Sequence, residues 1–253
     1  MLPINTQKKQ FHHIHGDNHH IHDENDTLSA SKKRHISIGK KVLDANQTNA
    51  NMNRQLFADK GVYVLNVMSS PGSGKTTTLE KTLAMIKEDL QCAVIVGDIC
   101  TTNDADRLSG SGTPAIQINT DAFGGDCHLT AHEVNHALKN LNLDTLDLLI
   151  IENVGNLVCP AEFDMGEDAR AVILSVTEGE DKPLKYPLMF RESHIALLNK
   201  IDLLPYLDYD IALVKDNIAQ MHPNMPVIEI SAKSLDGFDA WITWLKNQVL
   251  SKK

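Results

Sequence analysis

The stretch Ser69-Ser70-Pro71-Gly72-Ser73-Gly74-Lys75-Thr76-Thr77 constrains the fold of this chain more than any other. The apolar run Val62-Tyr63-Val64-Leu65-Asn66-Val67-Met68 precedes it and reads as a buried strand. Thr78-Leu79-Glu80-Lys81-Thr82-Leu83 follows with helical periodicity. A strand, a glycine-rich turn and a helix opening on Lys-Thr make a phosphate cradle. Backbone N–H groups in such a turn converge on the phosphates, and the helix N-terminus adds a favourable dipole. Gly72 and Gly74 let the backbone approach closely, while Ser73 and Thr77 complete the turn. Lys75 is the mobile cation for the outer phosphates, and Thr76 offers a hydroxyl to Mg2+, which demands oxygen ligands. Ser69 stands where the consensus has its first glycine.

The rest of the chain repeats the alternation of apolar strand and amphipathic helix. Strands are predicted at 62–68, 92–96, 114–118, 146–151, 171–176, 195–200 and 227–230. Helices are predicted at 75–89, 128–138, 208–220 and 236–249. Continuously apolar strands between helices imply an α/β fold with a mostly parallel sheet covered on both faces. Ligands then gather at the carboxyl ends of the strands. A leading helix is expected over 38–60, with Val42, Ala45, Asn49, Met52 and Leu56 at helical spacing. The main domain spans 61–253, and residues 1–37 are expected to be a disordered tail and linker.

Asn199-Lys200-Ile201-Asp202 follows a buried strand. The Asp202 carboxylate can accept both the N1–H and the N2–H of guanine, a pair that adenine lacks. Ser231-Ala232-Lys233 follows the last strand, where a backbone N–H can meet guanine O6 and the lysine stem can cover the base. Two such elements at successive strand ends behind a phosphate cradle select GTP over ATP. For Mg2+ and the γ-phosphate the candidates are Asp98, Asp104, Asp106 and Glu152; Asp98 and Glu152 each end an apolar strand, whereas Asp104 and Asp106 are expected in a loop that could move. Lys75, Thr76, Asp98 and Glu152 are therefore the expected catalytic set, with Gly155 offering an N–H to the γ-phosphate. Arg107 reads equally well as a surface helix residue, and no side chain identifies itself as a general base.

A second chemistry lies nearby. Cys127-His128 follows the third strand, and His132 and His136 continue at a spacing of four, on one face of the expected helix. Cys159-Pro160 lies seven residues past Glu152. Thiolate and imidazole suit Ni2+ and Zn2+, and three protein ligands leave a site that a second subunit can complete. Near the amino end, His12, His13, His15, His19, His20 and His22 place six of the twelve histidines within eleven residues. Such a tract binds borderline metals weakly and exchangeably. Its interruptions by Ile, Gly, Asp and Asn separate it from a purification tag.

A net charge of -9 argues against a nucleic-acid partner held by charge. No apolar run reaches the roughly 18 residues that cross a membrane. The start has no secretory apolar core. Cys92, Cys100, Cys127 and Cys159 are too scattered for a disulfide scaffold, so a reducing cytoplasm is expected. Cys92 reads as core, Cys100 as either core or switch loop, and His194 and His222 as structural or solvated.

Taken together, these motifs resemble the HypB family, the SIMIBI-class P-loop GTPases that assist nickel insertion into [NiFe] hydrogenase. The resemblance covers residues 40–250. It rests on the cradle, Gly97-Asp98 with Asp104-Ala105-Asp106-Arg107, the stretch 114–120, Cys127-His128-Leu129, the stretch 152–160, and Val176-Thr177-Glu178-Gly179-Glu180-Asp181-Lys182-Pro183. It implies a GTP-dependent homodimer with metal at the interface through Cys127, His128 and Cys159. It also implies a HypA partner and Ni2+ delivery to the hydrogenase large subunit. Two departures stand out. No cysteine precedes Cys92, so only the histidine tail can store nickel, and the longer loop 121–126 adds Asp126 as a further possible ligand. The competing readings are a urease-type nickel-insertion GTPase and a nickel-storage protein whose GTPase is incidental.

Overall fold

The structure is a computed structural model and describes residues 24–98, 103–110, 112–120 and 127–252. The six tail histidines, Cys100, Asp126 and the side chain of Asp106 lie outside what it describes. Seven parallel strands form one sheet in the order β3-β2-β4-β1-β5-β6-β7. They are β1 (Tyr63–Ser69), β2 (Cys92–Asp98), β3 (Ala115–Asn119), β4 (Leu148–Glu152), β5 (Ala169–Ser175), β6 (Ile195–Asn199) and β7 (Val227–Glu229). Every residue of β1, β4, β5 and β6 is buried, as a strand covered on both faces requires.

Helices α1 (Glu24–Lys60), α2 (Lys75–Ile86), α3 (Asn103–Ser109), α4 (Ala131–Leu138), α5 (Lys182–Lys185), α6 (Pro187–Arg191), α7 (Ile211–Met221) and α8 (Phe238–Lys252) complete the fold. On one face, Leu65 and Val67 pack with Leu79 and Leu83 of α2, Leu108 of α3 and Trp241 of α8. On the other, Val62 and Val64 pack with Phe57 of α1 and Val134 of α4. Met68 belongs to a third cluster with Phe190 of α6 and Val214 of α7. Trp241 is fully buried, and its indole N–H donates to Thr82 Oγ1 at 2.9 Å. Truncating Phe57 or Trp241 to alanine would cost about 3–5 kcal/mol.

Four differences from the sequence reading bear on function. The helix expected at 128–138 begins at Ala131, where Thr130 caps it and forms a capping box with Glu133. Cys127 and His128 therefore lie in the preceding loop. Asp104 sits on the short helix α3 rather than in a loop. Helix α1 starts at Glu24, well before the expected residue 38, because its first turns carry no apolar stripe to announce them.

Its buried stripe also differs. Asn46, Ala50, Asn53 and Phe57 face the domain, whereas Val42 and Met52 are exposed. A reading keyed to apolar spacing missed a face in which two of four residues are asparagine.

Candidate functional site

Parallel register aligns the carboxyl ends of the strands. Val67 of β1 pairs with Glu152 of β4, Asp98 with Asn119 of β3, and Ser175 with Asn199 of β6. The cradle leaves β1 at this edge. Gly72 and Gly74 take left-handed φ values of 76° and 93°. A Cβ on Gly74 would stand 2.5 Å from Asn199 Nδ2, so both conformation and space demand glycine. Helix α2 begins at Lys75, so its first N–H groups face the cradle.

Glu152 is fully buried. Its Oε1 accepts from Lys75 Nζ at 2.7 Å and from Thr76 Oγ1 at 2.6 Å. Its Oε2 is buried without a hydrogen-bond partner. A buried carboxylate oxygen left unsatisfied beside a cradle hydroxyl fits the hard-oxygen chemistry of Mg2+. Ser69, Asp98, Asp104, Val154 and Gly155 join the cradle in lining a cavity of about 400 Å3. Gly155 comes so close that a Cβ there would lie 3.3 Å from Pro71 Cα. Arg107 donates to Thr77 Oγ1 at 3.1 Å and pairs with Glu80 at 2.9 Å and Asp104 at 3.7 Å, which ties α3 to α2 beside the cavity.

The cavity's neighbour, about 480 Å3, shares Gly74 and Thr77 and is lined by Asn199, Lys200, Asp202, Ala232 and Lys233. Asn199 is the brace between them: its Nδ2 donates to the Ser73 carbonyl at 2.9 Å, and its Oδ1 accepts from Lys200 N and Ala232 N at 2.7 and 3.1 Å. Lys200 takes a left-handed φ of 66° and its ammonium reaches the Gly72 carbonyl at 2.6 Å. Ser231 donates to Asp202 Oδ1 at 2.6 Å and accepts from Lys233 N at 3.2 Å, while Lys233 Nζ lies 4.0 Å from Asp202 Oδ2. The fold thus gathers the expected base-reading residues into one pocket joined to the phosphate cradle.

Cys127, His128 and Cys159 offer ligand atoms all within 4.8 Å of one another, and each residue is half-buried. Cys159 opens a 3-10 turn (Cys159–Glu162) with Pro160 in its first turn. The His128 ring packs 3.8 Å from that of Phe163, and Asn156 Nδ2 donates to the Cys127 carbonyl at 3.4 Å. Burial first, then the neighbouring Cys159, pushes the Cys127 thiol above its ordinary pKa. Two sulfurs and an imidazole match the donor set of Ni2+ or Zn2+. His132 and His136 do not join this cluster. They lie on exposed turns of α4 and line a separate groove with Gln117 and Asn119 of β3. The reason is the helix start: His128 precedes Ala131, so the three histidines share no helical face.

Several residues take roles that the sequence reading did not assign. Glu178 accepts from Ser70 Oγ and, at 3.1 Å, from Ser175 N, fixing the cradle from the β5 side. Asn153 is fully buried next to Glu152; its Oδ1 accepts from Leu129 N at 3.2 Å and its Nδ2 donates to Asn66 Oδ1 at 3.3 Å. Asn66 donates to Glu167 at 3.1 Å, and Arg170 donates to Glu167 at 2.6 Å and to the Ala161 carbonyl at 3.0 Å. This buried chain joins the residue after His128 to the turn that carries Cys159. A polar asparagine within the apolar first strand was its one visible signal.

Comparison with known proteins follows the same lines. The family model for the CobW/HypB/UreG nucleotide-binding domain matches residues 63–229. The hydrogenase maturation factor HypB of Escherichia coli K12 is 49% identical over 235 residues, covering 92% of this chain and 80% of its own length. The chain belongs to the HypB family of SIMIBI-class P-loop GTPases, which act in hydrogenase maturation. Among solved HypB structures, that of Helicobacter pylori in complex with nickel has a TM-score of 0.76 at 39% identity. It covers 82% of this chain and 96% of its own. HypB from Archaeoglobus fulgidus has a TM-score of 0.75 at 36% identity, covering 81% and 99%. HypB membership implies GTPase activity. Among the described residues no helix is long and apolar enough to cross a membrane.

Proposed function

We propose that this protein is a GTP-hydrolysing nickel metallochaperone of the cytoplasm, acting as a homodimer whose interface metal site responds to the bound nucleotide. The observation that carries the proposal is the bond from Leu129 N, beside the Cys127/His128/Cys159 cluster, to Asn153, the residue after Glu152. Asn153, next to the carboxylate that holds Lys75 and Thr76, also holds the backbone one residue past His128. A movement of 152–153 on nucleotide exchange is thus felt at the metal ligands.

In this reading GTP or GDP occupies the cradle through Gly72, Ser73, Gly74, Lys75, Thr76 and Thr77. The base lies against Asn199, Lys200, Asp202 and Ser231-Ala232-Lys233. Mg2+ is held by Thr76 and Glu152 with Asp98 or Asp104, and Gly155 reports on the γ-phosphate. Hydrolysis is slow without an activating arrangement and serves timing. Ni2+ is the cargo, and Zn2+ competes for the same thiolate and imidazole donors. The histidine tail within 1–37 concentrates nickel. The partners are a HypA-like nickel-binding protein and the [NiFe] hydrogenase large subunit.

The test is subunit mass and metal stoichiometry measured with GDP and with a non-hydrolysable GTP analogue. The analogue is expected to double the mass and to change metal affinity. Identical mass and affinity in the two nucleotide states would overturn the coupling.

A further inference from the structure

Two buried asparagines of α1 each hold both chain segments that carry the thiol and imidazole ligands. Asn46 Oδ1 accepts from Ala131 N at 2.9 Å, and its Nδ2 donates to the Asp164 carbonyl at 2.8 Å. Asn53, fully buried, donates to the Ala131 carbonyl at 2.8 Å and to the Met165 carbonyl at 3.1 Å. Asn135 satisfies the Asn53 oxygen at 2.8 Å. Ala131 stands three residues past His128, and Asp164 stands five past Cys159. Arg54 adds two contacts of 2.7 Å to the Asp164 carboxylate. At Gly166 the backbone approaches α1 so closely that a Cβ would lie 2.6 Å from the Ala50 carbonyl.

Burying an amide is costly unless its polar atoms are paired. A helix that merely covered a core would turn its apolar residues inward. Here Val42 and Met52 point outward while Asn46 and Asn53 are buried, and each asparagine bridges the same two segments. One of the bonds also satisfies Ala131 N, the first free donor of α4.

We propose that α1 is the clamp of the metal site. Asn46 and Asn53 are positioning residues that set the separation of Cys127 and His128 from Cys159, and so set metal affinity from outside the ligand shell. The inference rests on the reading of Cys127, His128 and Cys159 as a nickel or zinc site. A ligand set preorganised in this way loses affinity when the spacing is no longer fixed.

The test is Ni2+ titration of the full chain, followed by thiolate-to-nickel charge-transfer absorbance. The tail cannot contribute to that band, because no cysteine precedes Cys92. Asn46→Ala, Asn53→Ala and the milder Arg54→Gln are each titrated, with GTP binding and thermal melting in parallel. The two asparagine variants are expected to weaken the band's midpoint at least tenfold, and Arg54→Gln a few-fold, with GTP affinity unchanged. Leu56→Ala trims α1 packing but leaves the Asn46 and Asn53 hydrogen bonds intact, and is expected to leave the midpoint in place. Parental midpoints in all three clamp variants would overturn the clamp alone, as would an equal loss in Leu56→Ala. Absence of the band from the parent chain would overturn the metal-site reading and the clamp with it.

Discussion

The ammonium of Lys75 lies 2.7 Å from Oε1 of Glu152, and Thr76 donates its hydroxyl to the same oxygen at 2.6 Å. Lys75 is nearly buried and Glu152 fully so, which makes this an ion pair in a site of low polarity. In the proposed function the cation for the phosphates thus rests on the carboxylate for Mg2+. Nucleotide binding has to exchange one set of partners for the other.

Lys75→Ala leaves the Glu152 carboxylate buried without its cation. Breaking a buried pair from one side costs about 3–5 kcal/mol. The expected outcome is a lower melting temperature of the nucleotide-free protein together with loss of GTP binding. A variant that melts like the parent would show that the pair adds nothing to stability. Glu152→Gln keeps an acceptor for Thr76 but removes the charge, so Mg2+ should no longer tighten GTP binding in equilibrium titrations.

In the proposed reading guanine selection depends on Asp202, which Ser231 holds at 2.6 Å. Asp202→Ala should lower GTP affinity by about 2–3 kcal/mol, the worth of a charge-assisted pair, and leave ATP affinity unchanged. Ser231→Ala releases the carboxylate without deleting it and should cost about 1 kcal/mol. Competition binding with GTP and ATP measures both. A GTP affinity unchanged in Asp202→Ala would refute the assignment.

Cys127 and Cys159 are half-buried and stand outside the hydrophobic core. Serine at either position should change unfolding free energy by no more than about 0.5 kcal/mol. The same substitutions should abolish thiolate-to-nickel absorbance. Denaturant melts and nickel titration, run side by side, separate a lost ligand from a lost fold.

Burial alone would raise the pKa of Asp164, but its bonds to Arg54, Gly166 and Gln47 hold it below the ordinary value of 3.8. Because the folded pKa is depressed, this contribution to stability is fully present above pH 3.8 and disappears as pH falls through the folded value. Arg54 is substantially exposed, so the contribution is about 1 kcal/mol or less. Arg54→Gln should melt below the parent near neutrality, and the two stability curves should converge in acid. A gap that persists undiminished below the folded value would show that the pair is not its source.

The strands, their parallel arrangement and the glycine-rich turn were legible because each rests on local chemistry. Continuous apolar runs specify buried parallel strands, and Gly72 and Gly74 specify a turn that other residues cannot make. The histidine face of α4 was misread because Thr130 and Glu133 cap the helix, leaving His128 in the loop before it. That capping signature stands in the sequence but was outweighed by the spacing of four between histidines. The buried face of α1 was misread because amphipathic spacing assumes that apolar residues turn inward. Asn46 and Asn53 turn inward instead, where they bond backbone groups of Ala131, Asp164 and Met165.

The sequence by itself determined that this chain folds around a P-loop cradle, because glycine, lysine and threonine act there at fixed short spacings. Only the tertiary structure decided which cysteines and histidines meet. Cys127 and Cys159 are separated by thirty-two positions, and their approach depends on long-range bonds from Asn153, Arg170, Asn46 and Asn53. Such bonds carry no local periodicity: a buried amide takes its meaning from the backbone groups that the fold brings to it.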